Sequence, residues 1–80
     1  MVIKVLGTGC MRCNELEKRV LNSLASLGIA ADVQKLKSLK EISSYGVLAT
    51  PALVIDEQVK VSGRVPPEEE IAAWIREHDE

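Results

Sequence analysis

The sequence predicts a single α/β domain in which a four-stranded mixed sheet carries helices on both faces. Short apolar runs alternate with helix-forming segments, and together they give the order β-α-β-α-β-β-α. The first strand, helix and second strand have the pattern of a right-handed parallel unit. With 80 residues, the chain is long enough for one domain with a modest core, which we assign to residues 1–80.

The first half of the chain carries the clearest signals. Residues 2–6 form an apolar strand, and the glycines of residues 7–9 supply the flexible turn that a strand-to-helix junction needs. Apolar residues at steps of three and four indicate a helix over residues 10–27, and Gly28 suits the left-handed conformation that ends a helix. Residues 29–36 are apolar and then alternating, which predicts the second strand.

Two further helices are expected. Ser38 is placed to cap a short helix that runs through residues 40–42 and ends within residues 43–46. The last helix is predicted to begin at Pro66-Pro67, with proline at its first helical position and the three glutamates of residues 68–70 against the positive end of the helix dipole. An apolar face on that helix is formed by Ile71, Trp74 and Ile75.

A hairpin lies between these two helices. Pro51 opens a strand over residues 52–55, which are all strongly strand-forming or apolar. Asp56-Glu57 is the expected reversal into the fourth strand at residues 58–62. Glu57 is an unfavourable choice there, since tight reversals favour glycine where φ is positive.

Composition excludes several classes of function. The chain has 10 basic and 12 acidic residues mixed along its length, so no basic stripe predicts nucleic-acid binding. No apolar run approaches the roughly 18 residues of a membrane span, and residues 1–4 lack the pattern of a signal peptide. We therefore expect a cytoplasmic protein that binds neither nucleic acid nor membrane. We also expect it to be a monomer.

The cysteine pair Cys10-Met11-Arg12-Cys13 is the most informative motif, because it contains both cysteines of the chain. The helical pattern predicts that Cys10 lies exposed in the first turn, whereas Cys13 begins the apolar stripe. In a reducing compartment such a pair is more often catalytic or metal-binding than structural. A disulfide closing so short a loop would stabilise the fold by only about 2 kcal/mol, which argues against a structural staple.

The spacing of the pair suits thiol-disulfide exchange. The thiolate is the attacking species, and a helix N-terminus with the adjacent Arg12 would favour ionisation of Cys10. Cys13, one helical turn later, can then attack the mixed disulfide formed by Cys10 and release the reduced substrate. This cycle needs no cofactor beyond the Cys10–Cys13 disulfide.

Three segments resemble the thioredoxin and glutaredoxin superfamily, in particular its small prokaryotic redox-active disulfide proteins. They read GTGCMRC (residues 7–13), TPALVID (residues 50–56) and SGRVP (residues 62–66), and the similarity covers nearly the whole chain. The resemblance implies a thioredoxin-like fold with strand order 2-1-3-4. Its other implications are thiol-disulfide oxidoreductase activity on protein disulfides and a thioredoxin-reductase-like flavoprotein as electron donor.

The same resemblance implies a substrate-binding surface around the cysteines. The proline that matches Pro51 is cis in this superfamily and packs beside the active-site cysteines, while the residue before it, here Thr50, offers backbone groups to a substrate strand. We expect Met11 and Arg12, between the cysteines, and Gly63, in the third similar segment, to contact substrate as well.

Two other functions compete with the redox interpretation. A Cys-x-x-Cys loop between a first strand and a first helix also occurs in heavy-metal-binding domains, where two thiolates suffice for Cu(I). Such domains end in a strand, whereas this chain is predicted to end in a helix, and we expect no metal site. The other alternative is a redox-sensing interaction domain that cycles its disulfide without turning over a substrate.

Several residues outside the motif receive structural interpretations. His78 is expected to be solvated near a helix C-terminus, and Trp74 to pack against the sheet. Tyr45 borders the active site or covers the short helix, and Arg12 tunes Cys10 or is an exposed side chain without a specific electrostatic role. Lys4 is ionisable but receives no proton-transfer role.

Overall fold

The computed structural model describes residues 1–9 and 11–79 and contains a four-stranded sheet of order β2-β1-β3-β4. β1 is parallel to β2 and antiparallel to β3, and β3 is antiparallel to β4. The predicted fold class is therefore confirmed. The strands are β1 (Val2–Leu6), β2 (Asp32–Leu36), β3 (Ala52–Ile55) and β4 (Gln58–Ser62), and the helices are α1 (Met11–Leu27), α2 (Leu39–Ser44) and α3 (Glu68–His78).

The sheet separates two apolar clusters, because successive side chains of a strand point to opposite faces. Ile3 and Val5 of β1 belong to the larger cluster, which joins the sheet to α1 and α3. Leu6 of β1 belongs to the smaller cluster, where it packs with Ile42 of α2 and with Ala52 and Val54 of β3. Helices thus cover both faces, and every residue of the central strand β3 is buried.

The second strand is shorter than its sequence pattern suggests. β2 begins at Asp32, which pairs with Val2, the first residue of β1. The pairing of β1 with β2 begins at Val2 and Asp32, so residues 29–31 precede the paired residues. Ile29 and Ala31 instead pack against the larger cluster, which explains why this stretch is apolar without being a strand.

Both predicted helix starts differ from the structure in detail. Ser38 occupies the N-cap position of α2 with an extended backbone, but its side chain makes no capping hydrogen bond. At the start of α3, Pro67 is the N-cap residue and the first helical residue is Glu68, so proline lies one position earlier than predicted. The carboxylates of residues 68–70 do occupy the first turn of α3.

No helix within residues 1–9 and 11–79 is long and apolar enough to cross a membrane.

The β3–β4 turn has positive φ at both of its central residues, 48° at Asp56 and 69° at Glu57, although neither is glycine. Their side chains compensate with tertiary contacts. Asp56 Oδ1 accepts a hydrogen bond of 2.9 Å from the backbone N–H of Val2. Glu57 Oε1 lies 2.6 Å from Nζ of Lys4, and both carboxylate oxygens of Glu57 accept hydrogen bonds from the Tyr45 hydroxyl, at 3.2 and 3.0 Å. These contacts explain why the sequence tolerates an acidic residue where glycine is usual.

We expect this turn to make the fold sensitive to acid. Hydrogen bonds from Lys4 and Tyr45 hold the pKa of Glu57 below its ordinary value of 4.5. A group with a lowered folded-state pKa contributes stability above its unfolded pKa and loses it as the pH falls through the folded value. In chemical denaturation at several pH values, Glu57→Gln should flatten the loss of unfolding free energy below about pH 4.5. The control Glu77→Gln, at an exposed position of α3, should retain the wild-type slope; an unchanged slope in Glu57→Gln would contradict the assignment.

The C-terminal helix corrects one prediction and confirms another. His78 is not solvated: its side chain is only 11% exposed, and Nδ1 lies 3.4 Å from Oδ2 of Asp56. The contact arises because the last turn of α3 lies beside the β3–β4 turn. Trp74 packs against the larger core cluster, as predicted.

Candidate active site

Cys13 is held against Gly7 at the junction between β1 and α1. It is 2% exposed and begins the buried stripe of α1 that continues with Leu16, Val20 and Leu24. A Cβ atom added to Gly7 would overlap Cys13 Sγ and lie only 3.1 Å from Cys13 Cβ. Glycine is therefore required at position 7 because β1 and α1 approach each other more closely than a side chain permits.

Thr50 and Pro51 lie at the same end of the sheet. The peptide bond between them is cis. The same Cβ position at Gly7 would lie 3.9 Å from Thr50 Cβ, so Thr50 is a neighbour of the Gly7–Cys13 contact. Pairing between β1 and β3 ends at Leu6 and Ala52, which places the exposed Thr50 beyond the ladder while Pro51 is fully buried.

The loop after β4 is tied directly to this proline segment. The Gly63 N–H donates a hydrogen bond of 2.9 Å to the Pro51 carbonyl, and the Ser62 hydroxyl donates one of 2.8 Å to the Ala49 carbonyl. Gly63 has φ of 86°, and an added Cβ would lie 3.1 Å from Ala49 Cβ. Conformation and space both restrict position 63 to glycine.

Arg12 connects the first turn of α1 to that loop. Its Nη2 donates a hydrogen bond of 2.9 Å to the carbonyl oxygen of Gly63, 51 positions away in sequence. Neither sequence interpretation of Arg12 anticipated this role, since the side chain bridges two segments of the candidate site. Because the acceptor is a neutral carbonyl, this hydrogen bond does not neutralise the positive charge of the Arg12 guanidinium.

Two exposed apolar side chains lie in the segments that form the site. Met11, the first described residue of α1, is 88% exposed, and Leu48, two residues before Thr50, is fully exposed. Met11 was predicted to contact substrate, whereas the sequence led to no prediction for Leu48. What marks Leu48 is its full exposure next to the cis-proline segment, and the sequence alone does not show that exposure.

The structure thus brings together Arg12, Cys13, Thr50, Pro51 and Gly63 from three separate segments of the chain, with Met11 adjacent to Arg12. The predictions for Cys10 lie outside the described residues. Within residues 1–9 and 11–79, no three side chains among His, Cys, Asp and Glu are close enough together to hold a metal ion.

Lys4 and Tyr45 form a separate polar cluster on the α2 side of the sheet. Lys4 Nζ lies 2.6 Å from the Tyr45 hydroxyl and 5.3 Å from the centre of its ring. Hydrogen bonds with Glu57 and then Tyr45 raise the pKa of Lys4 above its usual range. Of the two interpretations of Tyr45, the structure supports the one in which it covers α2, because its ring packs against the smaller core cluster.

Comparison with known proteins agrees with this architecture. The thioredoxin domain family matches residues 1–76. A thioredoxin of Methanothermobacter thermautotrophicus is 41% identical over 71 residues, which span 89% of this chain and 92% of the relative. A thioredoxin of Methanocaldococcus jannaschii is 32% identical over 78 residues, covering 98% of this chain and 90% of the relative. These matches agree with the sheet order and with the packing of Cys13 against Gly7 after β1. The chain therefore belongs to the thioredoxin family and is a thiol-disulfide oxidoreductase.

Proposed function

We propose that Cys10 and Cys13 are a redox-active pair that reduces or exchanges disulfides in other proteins, with Cys10 attacking and Cys13 resolving. The observation that carries the proposal is the burial of Cys13 on the core-facing stripe of α1, against Gly7. A sulfur that is 2% exposed is shielded from a protein substrate, so the first attack falls to the other cysteine of the motif.

The reaction balances without an additional cofactor. The Cys10 thiolate attacks one sulfur of the substrate disulfide, forms a mixed disulfide and expels the other substrate sulfur as a thiolate. The Cys13 thiolate then attacks the Cys10 sulfur and releases the second substrate thiolate. The substrate has gained two electrons, and the protein is left with a Cys10–Cys13 disulfide. A thioredoxin-reductase-like flavoprotein would return two electrons to the pair.

The substrate would bind across the segments around Cys13. Thr50 lies beyond the last β1–β3 pair, where its backbone can meet an extended substrate segment. Pro51 and Gly63, joined by the hydrogen bond from the Gly63 N–H to the Pro51 carbonyl, would lie under the substrate, with Met11 and Arg12 beside them. Leu48 adds an exposed apolar contact. Exposed apolar side chains suit a protein substrate better than a small polar one, because their burial drives association.

The cytoplasm is the compartment that suits this chemistry, since its thiol buffers keep such a pair available as a dithiol. A single domain containing both cysteines is sufficient for the cycle, so the proposal requires only a monomer. Neither nucleic acid nor membrane takes part in it.

Reduction of insulin by dithiothreitol tests the proposed function. The wild-type chain should accelerate the precipitation of insulin chains, whereas Cys10→Ser should fall to the uncatalysed rate because the attacking sulfur is gone. Leu21→Ser, an exposed position on α1, is the matched control and should keep the wild-type rate. Acceleration by Cys10→Ser comparable to that of the wild type would refute the assigned roles.

A further inference from the structure

The strand directions place the candidate site at one end of the sheet. β1 and β2 both finish there, at Leu6 and Leu36, and the Gly7 N–H donates a hydrogen bond of 3.0 Å to the Leu36 carbonyl. β3 begins at this end and β4 finishes at it, since Ala52 pairs with Ser62. We call this end the redox edge, and it comprises residues 7–9, 11–13, 36–41, 48–51 and 62–64.

Acidic side chains gather at the opposite end of the sheet. Asp32 begins β2 there, with its N–H bonded to the Met1 carbonyl, and the Asp56 N–H is bonded to the Val2 carbonyl. Glu57 lies in the same turn as Asp56, and Asp79 follows His78, which contacts Asp56. Glu57 is paired with Lys4, so Asp32, Asp56 and Asp79 carry most of the negative charge at this end.

Basic side chains without an acidic partner lie at the redox edge. Lys37 directly follows Leu36, Lys40 is in the first turn of α2, and Arg12 is bonded to a neutral carbonyl. Across residues 1–9 and 11–79, none of these three forms an ion pair. Glu41, also in the first turn of α2, offsets part of their charge.

Other basic residues close to the redox edge are neutralised locally. Lys35 Nζ lies 3.5 Å from Glu17 Oε1, and Arg64 Nη2 lies 2.6 Å from Glu70 Oε1. The field at this end therefore comes mainly from Arg12, Lys37 and Lys40. At an ionic strength of 0.1 M, charges act over about 10 Å, so these side chains would influence a partner docked at the edge.

We propose that the redox edge selects protein disulfides that are surrounded by acidic side chains. The inference rests on the proposed function and adds the chemistry of the preferred partner. Complementary charge around a binding site raises the rate of productive encounter and suppresses partners of like charge. The apolar side chains of Met11 and Leu48 contact the partner once it has docked, while Lys37 and Lys40 act on its approach.

Two synthetic peptides test the inference. They share one intramolecular disulfide and differ only in their flanks, which carry either two aspartates or two lysines. Reduction of each by the dithiol protein is followed in single-turnover reactions at low and high salt. We expect the wild type to reduce the acidic peptide about tenfold faster at low salt, and the ratio to fall towards one at high salt.

Two double variants test which basic side chains cause the preference for the acidic peptide. Lys37→Glu/Lys40→Glu should abolish or invert the preference, and an acidic residue in the first turn of α2 favours folding of the variant. Lys18→Glu/Arg76→Glu lowers the net charge equally, but Lys18 is in the second turn of α1 and Arg76 is in the last turn of α3, towards the opposite end of the sheet, so this variant should keep most of the preference. Equal rates for the two peptides in the wild type, or equal loss in both double variants, would overturn the inference and leave the function intact. Failure to reduce either peptide would instead overturn the proposed function.

Discussion

Replacing Gly7 with alanine is expected to destabilise the fold and to impair disulfide exchange at the same time. The added methyl group would overlap Cys13 Sγ and approach Cys13 Cβ to 3.1 Å. Rotation of the cysteine side chain moves the sulfur but not Cβ, so α1 must also shift away from β1. Overpacking of this kind costs about 2–3 kcal/mol, and we expect a melting temperature lower by about 10 °C or more.

Gly28→Ala is the matched control for this prediction. Gly28 has φ of 67° but no atom within 4 Å of an added Cβ, so alanine there strains the backbone without touching the site. It should lower stability by about 1 kcal/mol while the folded fraction keeps wild-type activity. The interpretation of Gly7 would be wrong if Gly7→Ala had wild-type stability, or if it were destabilised while each folded molecule still exchanged disulfides at the normal rate.

Replacing Cys13 with serine is expected to stop the catalytic cycle after its first half. Cys10 can still attack a disulfide, but nothing resolves the mixed disulfide, so multiple turnover should fall to the uncatalysed rate and an adduct should accumulate. The buried hydroxyl introduced beside Gly7 should cost about 1–2 kcal/mol if it lacks a good partner. Thermal unfolding and non-reducing electrophoresis measure the two effects separately.

Cys13→Ala distinguishes loss of the resolving sulfur from the polarity of serine. It should trap the same adduct, with a stability change that reflects a small cavity in place of a buried hydroxyl. Turnover by either variant at close to the wild-type rate would contradict the resolving role of Cys13.

Much of this fold could be predicted because its signals are local. The order of elements follows from apolar periodicity, and β3 follows from a run of four apolar residues, all of which are buried. The strand order 2-1-3-4 was implied by the resemblance to the thioredoxin and glutaredoxin superfamily. The burial of Cys13 was predicted from its place on the helical stripe of α1. These predictions need only neighbours along one strand or helix.

The features that were missed depend on contacts between distant segments. Glu57 is acceptable in its turn because Lys4 lies 53 positions away in sequence yet 2.6 Å away in space. His78 is sheltered because α3 returns to Asp56. Arg12 bridges to Gly63 for the same reason, since packing of three segments decides which polar groups meet. Sequence periodicity carries no information on those distances.

The central claim is that the two cysteines of one motif have unequal roles, which the trapped adduct tests most directly. Cys13→Ser and Cys10→Ser are each incubated with a disulfide-containing peptide, and the adducts are mapped by mass spectrometry after proteolysis without reductant. We predict that Cys13→Ser carries the peptide on Cys10 and that Cys10→Ser carries little or none. A prominent adduct on Cys13 in Cys10→Ser, with none on Cys10 in Cys13→Ser, would contradict the account.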